Sequence, residues 1–128
     1  MANILTNFMQ ERLPKHLLGL ESLPLPTEVK LALYTSGEGI LTDTPTGEVA
    51  DPNYARQLLT FDEAGLSNPF HFNGLTTMQT ITHEAIVGII AGEERILGAI
   101  ELETPLTPAI GQPIWCEAGK INISFREN

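Results

Sequence analysis

The sequence predicts a mainly β protein, an antiparallel β-sandwich or a partly closed barrel, with one short α-helix at the N-terminus. Apolar and polar residues alternate at period two in several short runs that are separated by Gly, Pro, Asn or Asp. Two β-rich runs, 82–90 and 95–103, are joined by a short Gly-containing turn at 91–94. No alternation of strand and helix patterns, which is typical of a parallel sheet, is visible. A chain of 128 residues is of single-domain length.

Residues 1–26 are predicted to form the helix and a connector, and residues 27–128 the β domain. Between Asn3 and Leu13, apolar residues recur at helical spacing, which indicates an amphipathic helix. Pro14 predicts its end. Beyond it comes an apolar patch, and Pro24-Leu25-Pro26 then forms a rigid connector. The patch consists of Leu17, Leu18 and Leu20.

The β domain is predicted from its alternation of strand and turn patterns. Apolar residues occupy every second position of Val29–Tyr34, which is typical of a half-buried strand. In the second arm of the hairpin, Ile96, Ile100 and Leu102 are predicted to share the core face. Segment 36–53 is rich in Gly, Thr, Pro and acids, which predicts a long exposed loop and a candidate contact arm. Further strands are predicted at Tyr54–Phe61, Phe70–Phe72, Ile114–Glu117 and Ile121–Phe125.

Composition narrows the class of partner. Sixteen acidic and seven basic residues give a net charge of −9, which repels phosphate backbones and anionic lipid surfaces. We therefore expect neither nucleic acid nor a membrane as a partner, and no apolar run reaches the roughly 20 residues that span a bilayer. Cys116 is the one cysteine, so an internal disulfide is excluded and folding in a reducing cytoplasm is expected.

No motif for catalysis, metal binding or cofactor binding is found, so we expect a protein without enzymatic activity and without a cofactor. His16, His71 and His83 lie far apart and lack the spacing of a local metal site. His71 is predicted to be solvated or at a strand edge, whereas His83 is either a hydrogen-bonded core residue or exposed at a strand end. Trp115 is predicted to pack inside the fold.

For two groups of charged residues the sequence leaves alternative interpretations. Arg56 either pairs with Glu48 or Asp51, anchoring the base of the loop, or is an exposed strand arginine that contributes little. The dispersed acids are interpreted as a solvated face. The alternative is a cleft with close carboxylates, as in a carbohydrate-active or esterase-like enzyme on a β scaffold.

Several short segments follow one another in a specific order over nearly the whole chain. The first is the amphipathic segment Asn3–Leu20, and the last are Ile110-Gly111 and Glu117–Ile121. Between them lie the segments Val29–Thr35, Gly47-Glu48-Val49, Tyr54-Ala55-Arg56-Gln57, Thr82-His83-Glu84-Ala85-Ile86 and Leu97-Gly98-Ala99. In this order they resemble a family of small bacteriophage virion proteins, often labelled tail-fibre proteins and including capsid decoration (cement) proteins.

The resemblance implies a β fold without catalytic residues and a place in the virion, which is assembled in the host bacterial cytoplasm. The expected function is that of a capsid decoration protein that binds the major capsid protein lattice as a homotrimer or other homo-oligomer and stabilises the head. The alternative is a tail, fibre or vertex component that binds a host receptor or joins tail parts. The candidate interface residues, with loop 37–53, are Phe8, Met9, Leu13, Glu48 and Arg56.

The helix also has a simpler interpretation, in which it packs on the open face of the sheet. If it instead formed the interface, deleting Met1–Leu13 would weaken attachment to the particle more than it weakens folding.

Overall fold

The computed structural model describes residues 3–64 and 66–116. Strand β1 (Asn3–Leu5) is followed by helix α1 (Asn7–Leu17) and by six strands. The strands are β2 (Val29–Tyr34), β3 (Gln57–Leu58), β4 (Phe70–Phe72), β5 (Ile81–Ile90), β6 (Glu93–Leu106) and β7 (Ile114–Cys116). The predicted strand Ile121–Phe125 lies outside the described residues.

The strands form two antiparallel sheets, which confirms the predicted fold class. The larger sheet has five strands in the order β1-β6-β5-β2-β3, and the smaller one pairs β4 with β7. Within the described part of the chain, β1 and β3 are the edges of the larger sheet, which does not close into a barrel.

Each face of the larger sheet carries its own apolar core. On one face Leu31 and Leu33 of β2 pack with Phe72 of the smaller sheet and with residues of the intervening loops. On the other face Ala32 and Tyr34 pack with Ile40 and with residues of β5 and β6. Because β2 is covered on both faces, residues 31–34 are all buried, whereas the sequence predicted a half-buried strand.

The hairpin is confirmed, but its turn is shorter than predicted. Ala91 and Gly92 both have positive φ, at 53° and 79°, which suits a two-residue turn whose twist matches that of the strands. Glu93 and Glu94, which were assigned to the turn, already pair with β5.

A β-bulge changes the orientation of side chains in β6. Ile86 pairs with Gly98 but Val87 pairs with Ile96, so Leu97 is an extra residue. The extra residue turns Ile96 to the face of Val87, opposite to that of Leu102. The prediction that Ile96 shares a face with Leu102 was therefore wrong, because it assumed an uninterrupted period of two.

The N-terminal boundaries also differ from the prediction. Residues 3–5 are a strand because their backbone pairs with residues 98–100 of β6, where an edge of the sheet is available. The helix continues past Pro14 to Leu17. A proline lacks the N–H for one helical bond, but its carbonyl still accepts one, and the Leu18 N–H donates to it over 3.0 Å.

Segment 36–53 contains no helix and only one isolated bridge, between Tyr34 and Glu48. It is not exposed throughout as predicted, because Ile40 and Val49 are buried on the two opposite faces of the sheet. These two apolar side chains fix a segment that is otherwise rich in turn residues.

Candidate interaction surface

The junction between β1 and α1 is part of the folded core. Thr6 is fully buried, and its Oγ1 donates a hydrogen bond of 2.7 Å to the carbonyl of Ile96 in β6. The N–H of Asn7 donates to the carbonyl of Leu41 over 2.9 Å. These bonds join the start of α1 to both the hairpin and segment 36–53, and they support the interpretation in which α1 packs on the sheet.

Phe8 of α1 contacts the hairpin through Arg95. The Arg95 guanidinium lies 4.6 Å from the centre of the Phe8 ring, and that of Arg12 lies 5.6 Å away. Phe8, Met9 and Leu13, the predicted interface residues of the helix, are all half-buried. Their role in binding a partner stays a prediction, although part of each side chain already packs against its own chain.

Three leucines that come after Leu13 in the sequence are more exposed than the predicted interface residues of the helix. Leu17, Leu18 and Leu20 have exposed fractions of 72%, 73% and 75%. We call residues 17–20 the leucine turn. The sequence showed these leucines as an apolar patch beyond the predicted helix, whereas the predicted interface residues Phe8, Met9 and Leu13 were chosen because they are apolar and lie outside the core strands.

The leucine turn is exposed although its backbone is well bonded. The N–H groups of Leu18, Gly19 and Leu20 donate to carbonyls of the last helical turn over 2.9–3.1 Å. Gly19 has a φ of 73°, the left-handed conformation that commonly ends a helix. Glu21 next to the turn pairs with Arg12 and Lys15 of α1. The leucines are therefore displayed on an ordered turn, which reduces the entropy lost when a partner binds them.

Charge distinguishes this region from the β domain. Residues 1–26 contain two acids, Glu11 and Glu21, and two bases, Arg12 and Lys15. Residues 27–116 contain twelve acids and three bases. The leucine turn thus belongs to a neutral part of an acidic protein, where an apolar partner surface meets little repulsion.

Arg56 pairs with Glu48, one of the two partners considered from the sequence. Arg56 Nε lies 2.8 Å from Glu48 Oε2, and Nη2 lies 2.7 Å from Oε1. The Tyr54 hydroxyl donates to Glu48 Oε2 over 2.7 Å and accepts the Leu33 N–H over 3.0 Å. A further ion pair joins Arg56 Nη1 to Glu94 Oε1 over 2.6 Å. We call Glu48, Tyr54 and Arg56 the clasp, because they tie segment 36–53 to β2.

The clasp shifts the pKa of its members. Burial raises the pKa of Glu48, but the hydrogen bonds from Arg56 and Tyr54 outweigh it and lower the pKa below 4.5. The bonds to Glu48 raise the pKa of Arg56 further above its ordinary value. The side chains of Glu48 and Arg56 are 28% and 24% exposed, so little of either is free to contact a partner. Their role as interface residues stays a prediction.

Asp51, the other acid considered for Arg56, has different partners. Its Oδ1 accepts the Asn53 N–H, and its Oδ2 accepts the N–H and the hydroxyl of Thr76 over 2.9 Å each. The carboxylate also accepts the Thr77 N–H. Asp51 therefore joins segment 36–53 to the loop before β5.

The histidines occupy two different environments. His83 is buried, with Nδ1 2.8 Å from Thr82 Oγ1, which agrees with the hydrogen-bonded core alternative. His71 is exposed on β4, as predicted, and its ring lies 4.6 Å from that of Trp115 in β7. Trp115 is 72% exposed, so the prediction that it packs inside the fold was wrong. The strand pairing that joins β4 to β7 turns both rings outward.

Among residues 3–64 and 66–116, no group of three His, Cys, Asp or Glu side chains is placed to hold a metal ion. No helix in the described ranges is long and apolar enough to cross a membrane. Neither a scan against models of known families nor a search of curated proteins finds a match to this chain.

Proposed function

We propose that this chain is a structural protein of a bacteriophage virion, a capsid decoration protein that binds the major capsid protein lattice and stabilises the head without catalysing a reaction. The observation that carries the proposal is the leucine turn, in which three exposed leucines within four residues are held on a hydrogen-bonded backbone. Exposed apolar groups of this kind mark sites of protein binding. The order of the sequence segments resembles that of phage virion proteins, and this resemblance is the reason for proposing a phage particle.

The charge of the chain supports this assignment. The net negative charge of the β domain suppresses non-specific association, while the neutral leucine turn binds the lattice. Many such contacts, repeated by the symmetry of the head, hold the chain in place although each contact alone is weak. A homotrimer or other homo-oligomer of the chain would multiply the contacts further.

A second candidate function is a tail, fibre or vertex component that binds a host receptor. The exposed pair of His71 and Trp115 favours it, because a flat aromatic ring beside a polar ring is a suitable contact for a receptor. Under this alternative the binding surface lies on β4 and β7, and the leucine turn joins the chain to its neighbours in the tail.

The test replaces Leu18 and Leu20 together by Glu and measures how much protein binds to purified heads that lack this chain. We expect at least a tenfold loss of occupancy, because two apolar contacts are lost and two charges are introduced into the contact. The matched control is Met78→Glu, at an exposed apolar residue in the loop before β5. Equal loss in both variants, or no loss for the leucine variant, contradicts the proposal.

A further inference from the structure

Glu84 is a carboxylate placed against an apolar surface. On β5 it pairs with Leu33 of β2 on one side and with Ile100 of β6 on the other. Side chains alternate along a strand, and Ala85 faces the second core, so Glu84 projects to the same face as Ile86, which packs against the first core. Glu84 is half-buried there.

Glu84 also differs from the other half-buried carboxylates of the described residues. Each of those is hydrogen-bonded or ion-paired: Glu28 to Lys30, Asp43 to Arg95 and the Ile96 N–H, Glu48 to Arg56, and Asp51 to Thr76. Within ranges 3–64 and 66–116, the Glu84 carboxylate has neither an ion pair nor a hydrogen bond. The carboxylates of Glu38, Glu63 and Glu103 likewise have none, but they are exposed to water.

An unpaired charge at such a position destabilises the isolated fold. The carboxylate loses part of its hydration without gaining a bond from the described residues, and burial accordingly raises the pKa of Glu84. An apolar residue at this position would match its cross-strand neighbours, the buried Leu33 and the half-buried Ile100. If a cation of a partner reaches the carboxylate on assembly, the charge is compensated there, and the carboxylate stabilises the assembled state more than the free chain.

A basic side chain fits both parts of this environment. The aliphatic stem of Lys or Arg packs on a half-buried apolar neighbour such as Ile100, while its charged end reaches the carboxylate. The chain itself has few bases for its many acids, so a partner that approaches the acidic β domain is expected to present positive charge.

We propose that Glu84 is the binding site for a lysine or arginine side chain that the partner protein supplies on assembly. The inference rests on the proposed function, in which that partner is the major capsid protein. The chain then contacts its partner at two places, through the apolar leucine turn and through the charged side chain of Glu84.

The first part of the test measures unfolding of the isolated chain in urea at pH 7. Glu84→Leu removes the charge and extends the apolar surface, and Glu84→Gln removes the charge with little change of shape. We expect Glu84→Leu to unfold at a higher urea concentration than the natural chain. The control Glu103→Gln, at an exposed and unpaired carboxylate of β6, should leave the midpoint unchanged. Lower midpoints for both Glu84 variants would show that the carboxylate is compensated within the chain and would overturn the proposal.

The second part measures binding of the same variants to heads that lack this chain. We expect both Glu84 variants to bind about tenfold or more weakly than Glu103→Gln, since a charge-assisted bond is lost. Binding equal to that of the control overturns the assignment of Glu84 while leaving the proposed function intact. If the natural chain itself does not bind heads, the proposed function is wrong and the assignment fails with it.

Discussion

Arg56 binds both carboxylate oxygens of Glu48, with Nε 2.8 Å from Oε2 and Nη2 2.7 Å from Oε1. The two residues are eight positions apart, and Tyr54 between them bonds the same carboxylate and the backbone of Leu33. Bidentate arginine–carboxylate pairs of this kind are stronger than ion pairs joined by one hydrogen bond. The pair therefore fixes segment 36–53 against the sheet at Glu48.

Loss of the clasp should lower the stability of the whole protein. We expect Arg56→Met to reduce the free energy of unfolding by about 1–3 kcal/mol, because Glu48 keeps a half-buried charge without its main partner. Urea unfolding followed by circular dichroism measures the change. The matched control is Lys30→Met, whose pair with Glu28 is more exposed and contributes about 0–1 kcal/mol. Equal effects of the two substitutions would contradict a stabilising role of the clasp.

Two carboxylates should give opposite dependences of stability on pH. The folded-state pKa of Glu48 is lowered, so its contribution is present above about 4.5 and is lost as the pH falls through the folded value. The folded-state pKa of Glu84 is raised, so its contribution to stability is present below about pH 4.5 and is lost as the pH rises through the folded-state pKa. Compared with Glu84→Gln, the natural chain should gain stability as the pH falls from 7. Compared with Glu48→Gln, it should lose stability below pH 4.5.

The sign can be checked with urea unfolding at several pH values between 4 and 7. A difference between the natural chain and Glu84→Gln that does not vary with pH would contradict the burial of that carboxylate. The comparison uses differences between variants, so other titrating groups of the protein largely cancel.

Thr6 should contribute to folding more than its place near the N-terminus suggests. Thr6→Val keeps the shape of the side chain but removes the donor to the Ile96 carbonyl, which costs about 1–3 kcal/mol when that carbonyl stays buried. Deleting residues 1–13 removes this bond together with strand β1, so we now expect the deletion to destabilise the fold and not only to weaken attachment. Thermal unfolding of both variants tests this. A deletion variant as stable as the natural chain would contradict the observed packing.

Gly74 is needed because its neighbour in space is backbone. A Cβ added at Gly74 would lie 2.2 Å from the carbonyl carbon of Gly111, and the Gly111 N–H bonds the Leu75 carbonyl. We expect Gly74→Ala to lower the free energy of unfolding by about 1–3 kcal/mol, as is usual for an overpacked contact. Asn73→Ala, at the exposed neighbouring position, serves as the control in the same unfolding measurement. Equal stability of Gly74→Ala and the natural chain would contradict this close approach.

The sequence predicts well those elements whose pattern is local. Alternation identified β2, and the short Gly-containing connection identified the β5–β6 hairpin. The bulge at Leu97 was missed because an extra residue leaves no clear sign in a run of apolar side chains. Strand β1 was missed because its pairing partner lies more than 90 residues away, and residues 3–5 also fit a helical pattern.

The candidate surface could be predicted only in part. The pairing of Arg56 with Glu48 was one of two alternatives, because both acids precede Arg56 at short range and only the fold directs Asp51 towards Thr76. Exposure of the leucine turn and of Trp115 depends on what the rest of the chain leaves uncovered, and composition alone suggests that such residues are buried.

Quantitative mass spectrometry of purified virions is the sharpest test of the proposal that this chain decorates a phage head. The measurement gives the ratio of this chain to the major capsid protein. We expect a ratio between about one-third and one, because a monomer or a trimer at each threefold position follows the symmetry of the lattice. A few copies per particle would point to a tail, fibre or vertex component instead, and absence of the chain from virions would show that it is not a virion protein.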